Sequence, residues 1–353
     1  MSTDRHYEAL DGLRGIAALC VVALHVGNYF EVPVAPTHGY LAVDFFFMLS
    51  GFVIAHAYDK RLRNGLGALA FLKLRVVRLY PLILLGILMG SAAWLARILV
   101  LGDVGLGSVL AAAAMNAVLL PTSALAYVTP WAFPINSPLW SLLAEILANI
   151  LYAVAGGLAT TRRVAVVAAV GAAPLMLLAW GHGSLDVGFA WGDLPLGVAR
   201  VFYPFFTGVV LLRISRGQRT KSAWGYGAAI LLCAVLAAPV GSSALYDAVS
   251  VLLIFPLTIV MAARASSIAF LDAISHRLGA WSYPLYVTHF PCVVVLSNLA
   301  HRRGLTGIRL DVAALLCFLA VLVFAAAIAS PYDASARFVL RRLLTRKPIG
   351  IVH

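Results

Sequence analysis

Stretches of about twenty residues with hardly a charge recur along this chain, and nothing else in the sequence limits its fold as strongly. A helix needs about 20 apolar residues to cross the roughly 30 Å hydrocarbon core of a bilayer. Ten segments read this way: residues 10–30, 40–57, 80–101, 138–159, 164–181, 198–214, 223–240, 248–264, 279–300 and 311–332. The 353 residues are 62% hydrophobic and 11% charged, with mean hydropathy +0.95. Soluble domains run near 45–50% apolar and about 25% charged, so a soluble globule is excluded. So is a disordered chain, because there is too much to bury. The expected fold is an all-α polytopic membrane protein, a bundle of about ten transmembrane helices.

The net charge of +12 then becomes a topology signal. With ten spans and the N-terminus inside, the inner segments carry twenty Lys and Arg. The outer segments carry three, Arg302, Arg303 and Arg309. This predicts cytoplasmic N- and C-termini, a basic cytoplasmic loop 58–79, an outer loop 102–137 and a basic cytoplasmic tail 333–353. Residues 108–121 are an eleventh apolar stretch. As a span they would put most of the later charge outside, so they read as a re-entrant or surface-lying helix. Orientation and anionic lipid account for most of the positive charge, which removes the main support for a nucleic-acid partner. Residues 1–353 form one membrane domain with no clear internal repeat. Cys20, Cys233, Cys292 and Cys317 lie in apolar stretches without CxxC spacing, suggesting neither a disulfide framework nor a zinc site. The acidic Asp4, Glu8 and Asp11 argue against a cleavable signal peptide.

Ionisable side chains inside spans are costly and are functional candidates by default. Arg14 and His25 fall on the first span, Asp44 on the second and Glu145 on the fourth. At about 1.5 Å per residue, His25, Glu145 and Asp44 are expected in one layer of the outer half, about 6–10 Å deep. Arg14 and His25 are eleven residues apart, three turns, and so project from one helix face. Arg97 and Arg200 lie near span ends and are expected to snorkel. His289 sits mid-span, with Tyr286 one turn before it. Lys73, Arg75 and Arg78 precede the third span. They read either as topology anchors or as a clamp, since Arg pairs bidentately with phosphate.

Five blocks of the sequence together are specific to a known family. LDGLRGIAALCVVALH (10–25) resembles the opening of the acyltransferase-3 family of integral membrane acyltransferases, with its Arg-x10-His pattern on Arg14 and His25. GYLAVDFFFMLSGFVIAH (39–56) is similar to the second block, and LRVVRLYP (74–81) to the RxxR segment. SPLWSLLAEILANILY (137–152) resembles the block that places the family's acid on Glu145. LGAWSYPLYVTHFP (278–291) resembles the block that places a histidine on His289.

The resemblance implies a stand-alone membrane enzyme of the bacterial inner (plasma) membrane. It implies transfer of an acyl group, often acetyl, from cytoplasmic acyl-CoA to a hydroxyl of a surface or exported glycan. Thioester chemistry then suggests roles. His25 is expected as general base, since a histidine pKa near 6.5 suits proton removal from a hydroxyl. Glu145 is expected to hold its imidazole, as the acid does in a triad, with Asp44 a further catalytic candidate. An acyl-His25 intermediate is a variant. Arg14, Arg75, Arg78 and Lys73 are expected to bind acyl-CoA, with Tyr286 and His289 as further candidates. No metal is expected. The expected partners are acyl-CoA, a hydroxyl acceptor and lipid, with no nucleic acid. Two other readings are kept: a proton-coupled transporter using the same His, Glu and Arg, and a structural or polymer-export subunit.

Overall fold

The computed structural model describes residues 6–33, 36–158, 160–215 and 223–329, together with Phe338 and Leu340. Apart from those last two residues, the basic tail 333–353 lies outside the described residues. So do the end of the last predicted span and most of the basic segment 213–222.

Among the described residues the regular structure is helical, with one isolated antiparallel bridge between Trp131 and Ala190. The helices are α1 Glu8–Phe30, α2 Ala42–Arg63, α3 Ala68–Leu101, α4 Leu106–Ala117, α5 Leu139–Val154, α6 Thr161–His182 and α7 Leu194–Arg200. There follow α8 Phe202–Ile214, α9 Ala223–Leu236, α10 Ala244–Val249, α11 Phe255–Ala263, α12 Ala269–Arg302 and α13 Ile308–Ile328. A π-helical turn, Ser250–Ile254, joins α10 to α11.

By length and composition, seven helical segments among the described residues can cross a membrane: Glu8–Phe30, Gly39–Arg63, Ala68–Leu101, Thr161–His182, Leu194–Ile214, Ala244–Ala263 and Ile308–Ile328. The predicted spans at 138–159 and 223–240 come out as the 16-residue α5 and the 14-residue α9. Both are shorter than the roughly 20 residues of a simple crossing. The predicted span 279–300 is the later part of the 34-residue α12. The stretch 108–121 becomes α4, whose 12 residues are too few to span. It leans on α3, where the Tyr80 hydroxyl donates to the Ala117 carbonyl.

One boundary differs sharply from expectation. The loop 58–79 is largely helix, with only residues 64–67 between α2 and α3. Pro81 suggests a helix start but lies inside α3. Phe71, Arg75, Leu79, Leu82, Gly86 and Gly90 form one buried stripe at helical spacing, and packing along it carries the helix through the proline. In α12 a similar interruption is repaired by a side chain. Pro291 has no N–H for the Val287 carbonyl one turn back, and Asn136 Nδ2 donates to that carbonyl at 2.7 Å.

Two helix pairs organise the bundle. Most of the packing of α1 is against α12. A Cβ on Gly12 would meet Ser275 Oγ at 2.6 Å, and one on Gly15 would meet Leu278 Cβ at 2.4 Å. Both neighbours lie 263 positions further on, so the two helices run parallel and in register. Small residues permit this approach, as between membrane helices generally. The pair α2 and α8 also runs parallel, flanked at one end by Asp44 with Arg200, the last residue of α7 just before α8, and fixed at the other by Asp59 with Arg213. Between them a Cβ on Gly208 would fall 1.9 Å from the Met48 carbonyl oxygen, and one on Gly51 equally close to that of Phe205.

Gly208→Ala therefore overpacks this contact and is expected to cost about 1–3 kcal/mol. Gly107→Ala, in α4 with nothing within 4 Å of the added methyl, serves as the neutral control. Thermal unfolding of the two variants in one detergent checks the difference.

Candidate active site

Arg14, Arg75, Arg78, Glu145 and Tyr286 gather around one cavity of about 360 Å³. That volume is in the range of small-molecule sites. Its wall on α2 runs from Val43 to Ile54, about 16 Å of helix. The three arginines mark one end. Arg14 is fixed there by Ser282 Oγ at 2.9 Å, the Gly279 carbonyl at 2.8 Å and Asp11 at 3.1 Å. Arg75 is buried and Arg78 is exposed, yet both line the space, as residues three apart on a helix should. Lys73 is exposed and is not part of the lining.

Glu145 does not hold His25. Its Oε1 accepts from Arg75 Nη2 at 2.9 Å and from Ser50 Oγ at 2.7 Å. The physical reason is depth. Ser50 lies six residues beyond Asp44 along α2, so Glu145 sits about 9 Å further toward the arginine end than Asp44. The single layer expected for His25, Asp44 and Glu145 is not formed. A half-buried carboxylate instead meets the cation at its own level.

Asp44 is removed from the site altogether. Both its oxygens are taken by Arg200, through Nε at 2.8 Å and Nη2 at 2.6 Å. Arg200 also donates to the Val187 and Tyr40 carbonyls. It is 1% exposed, so the expectation that it snorkels is overturned: the desolvated acid on α2 holds the guanidinium inside. Arg97, by contrast, is paired at a helix end with Asp103 at 2.6 Å.

The partner of His25 is His289, from α12. Their ring centroids are 5.0 Å apart, and His289 Nε2 lies 3.3 Å from His25 Nδ1. Carbonyl oxygens only accept, which fixes both neutral tautomers. His289 donates from Nδ1 to Leu285 O at 3.0 Å, leaving its Nε2 with a lone pair. His25 donates from Nδ1 to Val21 O at 2.9 Å and toward His289 Nε2. The lone pair of His25 is thereby left on Nε2, where a base needs it. Neither histidine lines the cavity. They lie past its far end, beyond Tyr286, whose ring is 6.1 Å from that of His289. Around them stand Phe290, 5.4 Å from His25, and Tyr29 and Trp131, each packed edge-on against Phe290.

Ser50 and Ser141 were not singled out from the sequence, although both lie inside quoted blocks. Ser141 Oγ is 2.6 Å from the Tyr286 hydroxyl. Serines in apolar helices carry no distinguishing signal until their partners are placed. Among the described residues no three His, Cys, Asp or Glu stand close enough to hold a metal ion.

Comparison with known proteins places the chain in a family. A family described as an acyltransferase domain matches residues 7–330, nearly the whole chain. The chain belongs to the acyltransferase-3 family. It is therefore an acyltransferase, and its apolar helices make it an integral membrane protein. The transporter alternative finds no support. A Rhizobium radiobacter protein named protein 2 in the picA locus is 39% identical over 191 residues, which is 50% of this chain and 97% of that protein. No solved structure matches the chain.

Asp44→Ala strands Arg200 and is expected to cost about 3–5 kcal/mol, whereas the double change Asp44→Leu with Arg200→Met recovers most of the loss. Denaturant titration of the purified variants distinguishes this clamp from a catalytic acid.

Proposed function

We propose that the chain is an O-acyltransferase that moves an acyl group, acetyl in the simplest case, from acyl-CoA to a hydroxyl of a surface or exported glycan. One observation carries this reading: a cavity with three arginines at one end and a paired, tautomer-fixed histidine just past the other. Arg14, Arg75 and Arg78 hold the phosphates of coenzyme A, and the long flexible arm of the donor lies along the apolar wall. The thioester then reaches the histidine end. The excess of basic residues in the segments near Arg14, Arg75 and Arg78 puts that end in the cytoplasm, with both termini. The membrane is the bacterial inner one. The acceptor approaches from the opposite face, where Tyr29, Trp131 and Phe290 offer aromatic surfaces beside His25.

In the chemical step His25 Nε2 takes the proton of the attacking hydroxyl. The hydroxyl oxygen bonds to the thioester carbon, the C–S bond breaks, and the proton passes on to the thiolate. His289 acts as the positioning residue, holding His25 in the competent tautomer. Glu145 acts on the donor side instead. It neutralises Arg75 while the cavity is empty, which makes a buried guanidinium tolerable, and it keeps that side chain aimed into the cavity.

His25→Ala is expected to abolish transfer of label from radiolabelled acetyl-CoA to the envelope glycan fraction, with unfolding temperature unchanged. Arg75→Ala with Arg78→Ala is expected to raise KM for acetyl-CoA by about tenfold or more, a loss of roughly 1.4 kcal/mol in donor binding. Wild-type transfer by the first variant, or an unchanged KM in the second, contradicts the assignments.

A further inference from the structure

The inner part of the cavity is nearly free of polar groups except at one point. Around Val43, Phe46 and Phe47 the lining is apolar, and Tyr286 and Ser141 interrupt it. Tyr286 lies edge-on to Phe46 at 5.4 Å and is one helical turn from His289. It therefore stands between the donor cavity and the histidine pair, where a thioester entering past the arginines would end. The hydroxyl protons at this point can be traced. Ser141 has a single proton and donates it to the Pro138 carbonyl at 3.0 Å. In the 2.6 Å contact between the two hydroxyls, Tyr286 is then the donor and Ser141 the acceptor. The tyrosine proton is thus parked on a neighbour that can itself turn round and donate.

We infer that Tyr286 is a catalytic hydrogen-bond donor to the thioester carbonyl oxygen, with Ser141 as the residue that positions and reinforces it. The inference rests on the acyl-CoA reading of the cavity. As the acceptor oxygen attacks, the carbonyl π electrons move onto oxygen and form a tetrahedral alkoxide. The Tyr286 O–H rotates from Ser141 onto that oxygen. Ser141 swings its own proton from Pro138 O to the Tyr286 oxygen, so both hydroxyls stay bonded, and Pro138 O keeps the Ser141 backbone N–H at 3.3 Å. Collapse of the alkoxide restores C=O and expels the thiolate, which receives the proton held by His25. A neutral donor in an apolar, water-poor pocket favours the charge that develops here over the ground-state carbonyl. Arg14 and Arg75 are held at the other end by Ser282, Gly279 and Glu145 and are not placed to do this.

The test uses the full chain in lipid nanodiscs with radiolabelled acetyl-CoA as donor and envelope glycan as acceptor. Donor affinity is measured separately by calorimetry with coenzyme A. Tyr286→Phe is expected to lower kcat by about 10²–10³-fold, with Kd for coenzyme A changed less than twofold. A second pair of variants reports on the same donor if that one fails to fold. Ser141→Ala lowers kcat by about fivefold, the worth of one ordinary hydrogen bond, and Ser141→Thr, which keeps the hydroxyl, restores it. Wild-type kcat in Tyr286→Phe overturns the inference, as does a loss of kcat matched by an equal loss of donor affinity. An unaffected Ser141→Ala overturns the role given to that serine. If the wild-type protein transfers no label from acetyl-CoA, the acyl-CoA reading falls and takes this inference with it. If wild type transfers label and Tyr286→Phe does so equally well, the inference falls alone.

Discussion

The seam between α1 and α12 is the contact on which the rest of this structure depends. Gly12 and Gly15 bring the two backbones close enough for side chains of one helix to bond directly to the other. One end of that seam seats Arg14 on Ser282 and the Gly279 carbonyl. The other end places His289 against His25. Arg14 and His25 are thus set three turns apart along a single rigid edge. Their separation is dictated by helix geometry and not by loops. A one-residue slip would rotate both helices by about 100° and dissolve both arrangements together.

Charge burial shapes the remainder. Every deeply buried guanidinium among Arg75, Arg200 and Arg213 has a carboxylate within 3 Å. Two of these pairs tie α2 to its neighbours, Asp44 to Arg200 at the end of α7 and Asp59 to Arg213 in α8. Their value lies in specificity of packing more than in net stability, because the desolvation cost of each ion offsets most of its attraction. The pair of Glu145 with Arg75 differs in facing an open cavity. None of the four residues in the two staples lines it.

Much of this was legible in the chain, for identifiable reasons. The all-helical membrane fold follows from apolar runs whose length is set by the bilayer. The face shared by Arg14 and His25 follows from an eleven-residue spacing, and the structure keeps both on the side of α1 that meets α12. Which acid meets which base was not legible. Depth was counted as if every span began at one membrane surface, whereas the bond from Ser50 to Glu145 puts the start of α5 about level with Asp44, inside α2. That error moved Glu145 toward His25 on paper, when its level is that of Arg75. The same limitation hid Arg200. A cation near a span end can snorkel or turn inward, and only the position of Asp44 on another helix decides. Similarly, Pro81 reads locally as a helix start, yet the buried stripe from Phe71 to Gly90 overrides it. In each case the missing information was the neighbour, which no single segment contains.

The two helices of the α1–α12 seam are separated by most of the chain, and that separation governs when the seam can close. During synthesis α1 enters the membrane first and must wait, with Gly12 and Gly15 unmated, until α12 is made. Until then α1 can pack against α2, α9 and α11, but His25 lacks its partner His289. Pairing of the two histidines is consequently among the last events in assembly, and a ribosome that stalls before α12 leaves an inserted bundle in which that pair is never made.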